Sequence, residues 1–232
     1  MSKLKWDQTG EKLFSAGVED CALYVQKAGV SGEGVAWNGI VSITKSPSGA
    51  EASPYYANNK KYLNIMSTEE LSGSIEAYMY PDEFASCIGA IEVADGVYAE
   101  QQDHAAFGVA YKTLIGNDTD GITHGFKLKL IYNMLASPSE DAAETINESI
   151  EPSTMSWDFT TTPINVNTLG PDGKKLKPMA SLTIDSTKTD STKMQALLDL
   201  VYGTDGDTPA VASLPTPDEV FTLLANAQDA QG

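Results

Sequence analysis

Val35-Ala36-Trp37-Asn38-Gly39-Ile40-Val41-Ser42-Ile43-Thr44 decides the fold class, because its large residues Val35, Trp37, Val41 and Ile43 fall on one side of a two-residue repeat. Successive side chains of an extended chain point to opposite faces, so the pattern predicts a half-buried strand. Residues 71–79 repeat it, with Leu71, Ile75, Ala77 and Met79 expected inward and Ser72, Ser74, Glu76 and Tyr78 outward. Phe126-Lys127-Leu128-Lys129-Leu130 does the same with its lysines outward, and Met155, Trp157 and Phe159 alternate with Ser156, Asp158 and Thr160. Residues 180–184 read as a further strand, and 107–115 and 22–26 are less regular candidates. Asn117-Asp118-Thr119-Asp120-Gly121 separates two of these runs, and its Asp-Gly step suits the left-handed backbone of a hairpin turn. The expected fold is therefore mainly β, with packed antiparallel sheets of the sandwich or barrel type, a flanking α-helix and long loops.

Helical signals are few. Pro81-Asp82-Glu83-Phe84 and Pro217-Asp218-Glu219-Val220 each place proline at a first helical position with acids in the first turn. Residues 190–202 are the strongest helix, since Met194, Leu197, Leu198 and Val201 lie at helical spacing and Gly203 supplies the stop. Two stretches lack periodicity: 45–62, which is rich in turn residues yet carries Tyr55, Tyr56 and Tyr62, and the acidic 137–152. Connections this long in a compact domain are usually functional or mobile. A chain of 232 residues accommodates one such domain. Its expected parts are an N-terminal arm over 1–20, a long loop over 45–62, the flanking helix over 190–202 and a flexible end over 225–232.

Apolar residues make up 41% and charged residues 20% of the chain, and no apolar run approaches the ~20 residues that a spanning helix needs. The start has two lysines but no apolar stretch behind them, which predicts no secretory signal. Cys21 and Cys87 are then expected as free thiols, and the sequons at Asn117 and Asn147 as chance matches. The 32 acids oppose 15 basic residues, all of them lysine, for a net charge of −17. Without arginine the chain lacks the bidentate fork that grips phosphates and guanine edges, so stable nucleic-acid binding is not expected.

A search for reactive groups finds no convergent set. His104 follows Asp103, but neighbours on an extended chain point apart, and no nucleophile turn accompanies them. His104, His124, Cys21 and Cys87 are too scattered for the close ligand pairs of a structural zinc site. Asp118-Thr119-Asp120-Gly121 has its glycine two places early for a calcium loop, and Lys129 stands where the closing glutamate belongs. Gly29, Gly32 and Gly34 precede a strand rather than follow one, so the dinucleotide fingerprint fails. No catalytic residue, cofactor or metal is expected. The alternatives to a structural role are a carboxylate-dependent hydrolase, using a pair such as Asp82 and Glu76, or a β-rich surface binding module.

Several phrases taken together resemble the major tail proteins of long-tailed phages of Gram-positive bacteria. They are Gly34-Val35-Ala36-Trp37-Asn38-Gly39, Ser46-Pro47-Ser48-Gly49, Ala57-Asn58-Asn59-Lys60-Lys61-Tyr62-Leu63-Asn64, Glu76-Ala77-Tyr78 with Tyr80-Pro81-Asp82-Glu83-Phe84, Thr113-Leu114-Ile115-Gly116-Asn117-Asp118-Thr119, and Leu182-Thr183-Ile184-Asp185-Ser186-Thr187. Their order and spacing run from about Gly10 to Leu224, and the stretch after Leu224 departs from the pattern. The resemblance implies a virion protein, assembled in the host bacterial cytoplasm. Six copies would close into a ring, and rings would stack into a tube that conducts DNA without binding it specifically. It also implies a tape measure protein, a tail terminator and a distal tail protein as partners. Within that frame Tyr55, Tyr56 and Tyr62 are expected to reach a neighbouring subunit, and Ser72, Ser74, Glu76 and Asp158 to line the lumen.

Overall fold

The structure, a computed structural model, describes residues 3–27, 29–139, 145, 152–206 and 209–225. In chain order these form β1 (Phe14–Lys27), β2 (Val30–Ala36), β3 (Ile40–Gly49), β4 (Ala52–Ala57), β5 (Lys60–Met66) and β6 (Glu69–Ala77). A 3-10 helix (Asp82–Ile88) follows, then β7 (Ile91–Ala94), β8 (Val97–Ala99), β9 (Phe107–Asn117), β10 (Gly121–Ala136), β11 (Met155–Thr161) and β12 (Ser181–Asp185). The helices α1 (Ser191–Tyr202) and α2 (Pro217–Leu224) complete the described chain. The fold is mainly β with packed antiparallel sheets, as the alternation predicts.

The stretch over 35–44 is not one strand. It breaks at Trp37-Asn38-Gly39, where Gly39 takes a φ of 79° that strongly favours glycine. The alternation runs through the break because Trp37 points inward from the turn itself and is only 3% exposed. Val41, expected inward beside it, is exposed.

That break shapes the molecule. The main sheet runs β2-β1-β9-β10-β11-β6-β3, with β12 pairing on β10 off this path. The two end strands are thus consecutive in sequence. Across a flat sheet they would lie roughly 29 Å apart at the usual strand spacing. The connector from Ala36 to Ile40 reaches roughly 14 Å at full extension. The sheet must therefore curl until its ends meet, and β3 comes to lie against β1. The curl stays open, because β2 and β3 do not pair with each other.

Curling gives the sheet an inside and an outside, and each carries a hydrophobic core. Inside, Leu23, Ile75, Phe107, Tyr111, Trp157 and Phe159 surround Phe84, which the 3-10 helix inserts as a plug. The Phe84 ring lies 4.4 Å from Trp37, 5.2 Å from Phe107 and 5.2 Å from Trp157, centroid to centroid. Trp37 also donates its indole N–H to the Met79 carbonyl at 2.9 Å, which ties the connector to the end of β6. Outside, Tyr24, Ala110, Leu128, Leu130, Tyr132 and Ile184 lie under Leu197 and Val201 of α1 and Val220 of α2. A bulge at Asn133, with φ 46°, lets β10 serve both cores. Leu128 and Leu130 face the helices, whereas Met134 and Ala136 beyond the bulge face inward.

Several local expectations are corrected. Residues 107–115 lie in the central strand β9, buried on both faces, which erases the alternation that a half-buried strand displays. Strand β6 ends at Ala77, so Met79 is exposed rather than inward. The helix expected at Pro81 is of the 3-10 type and begins at Asp82. The later part of the expected N-terminal arm is the start of β1, and the long loop over 45–62 is instead the end of β3 plus strands β4 and β5. Lys127 and Lys129 are half-buried and lie on the inner side of the sheet. Residues 140–144, 146–151 and 226–232 lie outside the described residues, and with them most of the acidic stretch and of the expected flexible end.

The helices follow their signals closely. Asp190 caps α1 by accepting from the backbone N–H of Thr192 and Lys193, and Thr216 with Glu219 forms a capping box on α2. Asp218 in turn accepts from the Thr168 hydroxyl at 2.7 Å and the Asn167 N–H at 3.0 Å, fixing the segment before β12 against α2.

Phe84 is fully buried and touches aromatic rings from separate parts of the sheet. Phe84→Ala is expected to cost about 3–5 kcal/mol of unfolding free energy, measured by urea titration. A loss below about 1 kcal/mol would contradict its role as the inner plug.

Candidate functional site

The four polar residues expected to line a common surface lie together on the outer face of β3, β6 and β11. Cross-strand partners in an antiparallel ladder project to the same side. Ser74 stands opposite Asp158, Ser72 opposite Thr160, and Glu76 opposite Ser156. On the other flank Thr44 pairs with Ser74, Ser46 with Ser72, and Ser42 with Glu76. The result is a grid of hydroxyls and carboxylates, roughly 10 Å across the strands and 14 Å along them. Its only formal charges within these rows are the carboxylates of Glu76 and Asp158. Ser42 donates to Glu76 Oε2 at 2.9 Å, and the Ser72 hydroxyl donates to the Ser46 carbonyl at 3.0 Å. The alternate residues Ile43, Ile75, Trp157 and Phe159 pack inward and hold the grid flat against the inner core.

Ser46 escapes a sequence-based assignment to this site because 45–62 reads as loop, whereas Ser42 and Thr44 lie within the alternating stretch 35–44, whose polar side the sequence does not connect with residues 71–79. Ser156 and Thr160 carry a usable signal, the same alternation that marks Asp158. Leu135 of β10, paired with Thr160, borders the grid as an exposed apolar residue.

The same ribbon continues away from the sheet as an arm. Strands β3 and β6 pair as far as Gly49 and Glu69, and the Ser67 N–H donates to the Glu51 carbonyl at 3.1 Å. Beyond that point β4 and β5 form a separate two-stranded sheet closed by Asn58 and Asn59, both with positive φ. Two positive φ values in a two-residue loop match the twist of a hairpin. Every residue of β4 and β5 is exposed. Tyr55, Tyr56 and Tyr62 are 54%, 71% and 74% exposed, with Ile65 and Met66 beside them. They do not pack on their own domain.

The other polar candidates stay apart. His104 Nδ1 lies 3.1 Å from the Ala136 carbonyl, whereas His124 pairs with Asp120 at 3.0 Å. In that turn Asn117 Oδ1 accepts from the backbone N–H of Thr119 and Asp120, so the acidic run is organised as a turn. Hydrogen bonds with His124 and Asn117 hold the Asp120 carboxyl below its usual range. Asp82 lines an open cleft with Glu83, Glu92 and Tyr98, and Glu76 is not among its lining residues. Among the described residues no group of three or more His, Cys, Asp or Glu is placed to hold a metal ion.

In comparisons with known proteins the chain matches no protein-family model and no curated protein.

Cys21 and Cys87 are free and buried, and burial pushes both thiols up to about 12. The thiolate is the reactive form, so alkylation at pH 8 by iodoacetamide should leave both unlabelled in the native chain and label both after unfolding. Rapid native labelling of either would contradict their placement.

Proposed function

We propose that this chain is a structural subunit that closes into rings and stacks into a tube, with the grid on β3, β6 and β11 facing the bore. The observation that carries this reading is the β3–β6 ribbon, which joins a lysine-free polar face to an exposed aromatic arm. A two-stranded hairpin standing alone is marginal in water. Tyrosines clustered on one gain most when a partner surface covers them. The strands β2 and β3 also end the sheet, and apart from the Gly34 N–H, which donates to the Ala212 carbonyl at 2.9 Å, their outer edges would be covered by pairing between neighbouring copies. The resemblance to phage major tail proteins supports the same reading and adds the hexamer and the passage of DNA. A bore lined by hydroxyls and carboxylates repels phosphates at short range and gives them no cation to bind, so DNA slides rather than sticks.

Replacing Ala52–Met66 by an Asn-Gly turn closes the ribbon where Ser67 already bonds to Glu51. The expected product is folded, unfolds in one cooperative transition on heating, and forms no tubes under negative-stain microscopy. Tubes of normal length from this variant would overturn the role of the arm.

Glu76→Lys combined with Asp158→Lys alters two side chains on the water-facing side of the strands, and is expected to leave stability within about 1 kcal/mol of the parent. Tubes should still assemble, DNA ejection should slow, and the defect should ease as salt rises. Ejection at the parental rate in low salt would contradict a bore lined by these residues.

A further inference from the structure

On the opposite side of the same sheet, the inner-facing rows continue past the last core residues. On β3 the row runs from Ile43 to Lys45, on β9 from Tyr111 to Thr113, and on β10 from Ile131 back to Lys129 and Lys127. The β9–β10 ladder aligns two of these ends, since Lys129 pairs with Tyr111 and Lys127 with Thr113, and Lys45 reaches them across the curl from the inner row of β3. The Lys129 ammonium lies 5.5 Å from the centre of the Tyr111 ring.

All three lysines are half-buried. Burial first, and then the proximity of Lys129 to Lys45 and of Lys127 to Lys129, pushes Lys45 and Lys129 below the ordinary lysine range. Asp185 of β12 stands opposite Lys127 and is the carboxylate that faces the group. Burial raises the Asp185 pKa, but hydrogen bonds from Thr187 and the charges of Lys188 and Lys127 outweigh this and keep its carboxyl low. Among the described residues the ladders set Asp185 against these three ammonium groups, which leaves a local positive charge in a chain of net charge −17. Beside them the Thr113 hydroxyl is 8% exposed at the residue level and makes no hydrogen bond among the described residues. Clustered like charges and an unpartnered buried hydroxyl are each costly, and an oxyanion relieves both at once by accepting from all of them.

We propose that Lys45, Lys127, Lys129 and the Thr113 hydroxyl form a site for an oxyanion, a phosphate or a carboxylate. Both a free anion and an acidic side chain of a second copy present this chemistry. This site does not depend on the tube reading, because it lies on the other face of the sheet from the polar grid.

Thermal unfolding of the full chain at low ionic strength, with inorganic phosphate or a short oligoglutamate peptide added, tests the site. Binding to the native state raises the melting temperature. Phosphate alone raising it identifies a free oxyanion as the ligand, and oligoglutamate raising it at lower concentration identifies carboxylates on a protein surface. Lys45→Met combined with Lys129→Met keeps the apolar stems, and is expected to weaken the response at least about tenfold without lowering the melting temperature of the unliganded chain. Lys174→Met, at an exposed lysine beside Asp172, should respond as the parent does. A parental chain unmoved by both ligands overturns the proposal, as does a double variant whose response equals the parent's.

Discussion

Three residues between β2 and β3 constrain the rest of the molecule. Trp37-Asn38-Gly39 joins the two ends of a sheet that would otherwise be far wider than the connector can reach. The chain meets that constraint by curling, and curling creates an enclosed inner face that needs filling. Trp37 supplies part of the filling from the connector itself, and its indole N–H anchors the connector to the Met79 carbonyl. Phe84 completes it from the 3-10 helix. The tether and the inner core are therefore one device, with the same tryptophan in both.

The outer face of the curl is divided by polarity. Around β9, β10 and β12 it is apolar and covered by α1 and α2. Around β3, β6 and β11 it is polar and uncovered, and there the candidate surface lies. The Asn133 bulge marks the change along β10, since it switches which alternate residues face inward. A sheet with one helix-covered sector and one bare sector leaves a polar face open to solvent. The arm that grows from β3 and β6 extends that face with tyrosines.

The legible parts of the sequence are those where one face of a strand meets water. Residues 71–77 and 155–160 alternate cleanly because Ser72, Ser74, Glu76 and Asp158 look outward while Ile75, Trp157 and Phe159 look in. The central strand β9 was obscured by burial on both sides, which replaces alternation by a continuous apolar run. The break at Gly39 has a usable signal in the Asn38-Gly39 step, but the alternation runs through it because the turn residue Trp37 faces the core. Alternation also places Lys127 and Lys129 opposite Leu128 and Leu130, but cannot tell which of the two faces is covered by helices. The hairpin of β4 and β5 was hidden by its turn-rich flanks, though Asn58-Asn59 is a usable signal for its closing turn. That Ser72, Ser74, Glu76 and Asp158 share one grid depends on the register between β6 and β11, which no single strand encodes.

The central claim is that copies of this chain close into a tube with the grid inward and the arm between copies. A density map of the assembled protein, at a resolution that shows side chains, tests it most directly. The account predicts Ser72, Ser74, Glu76 and Asp158 on the wall of the bore, with Tyr55, Tyr56 and Tyr62 buried against a neighbouring copy. A map with those four residues on the outer wall, or with the arm free in solvent, would contradict it.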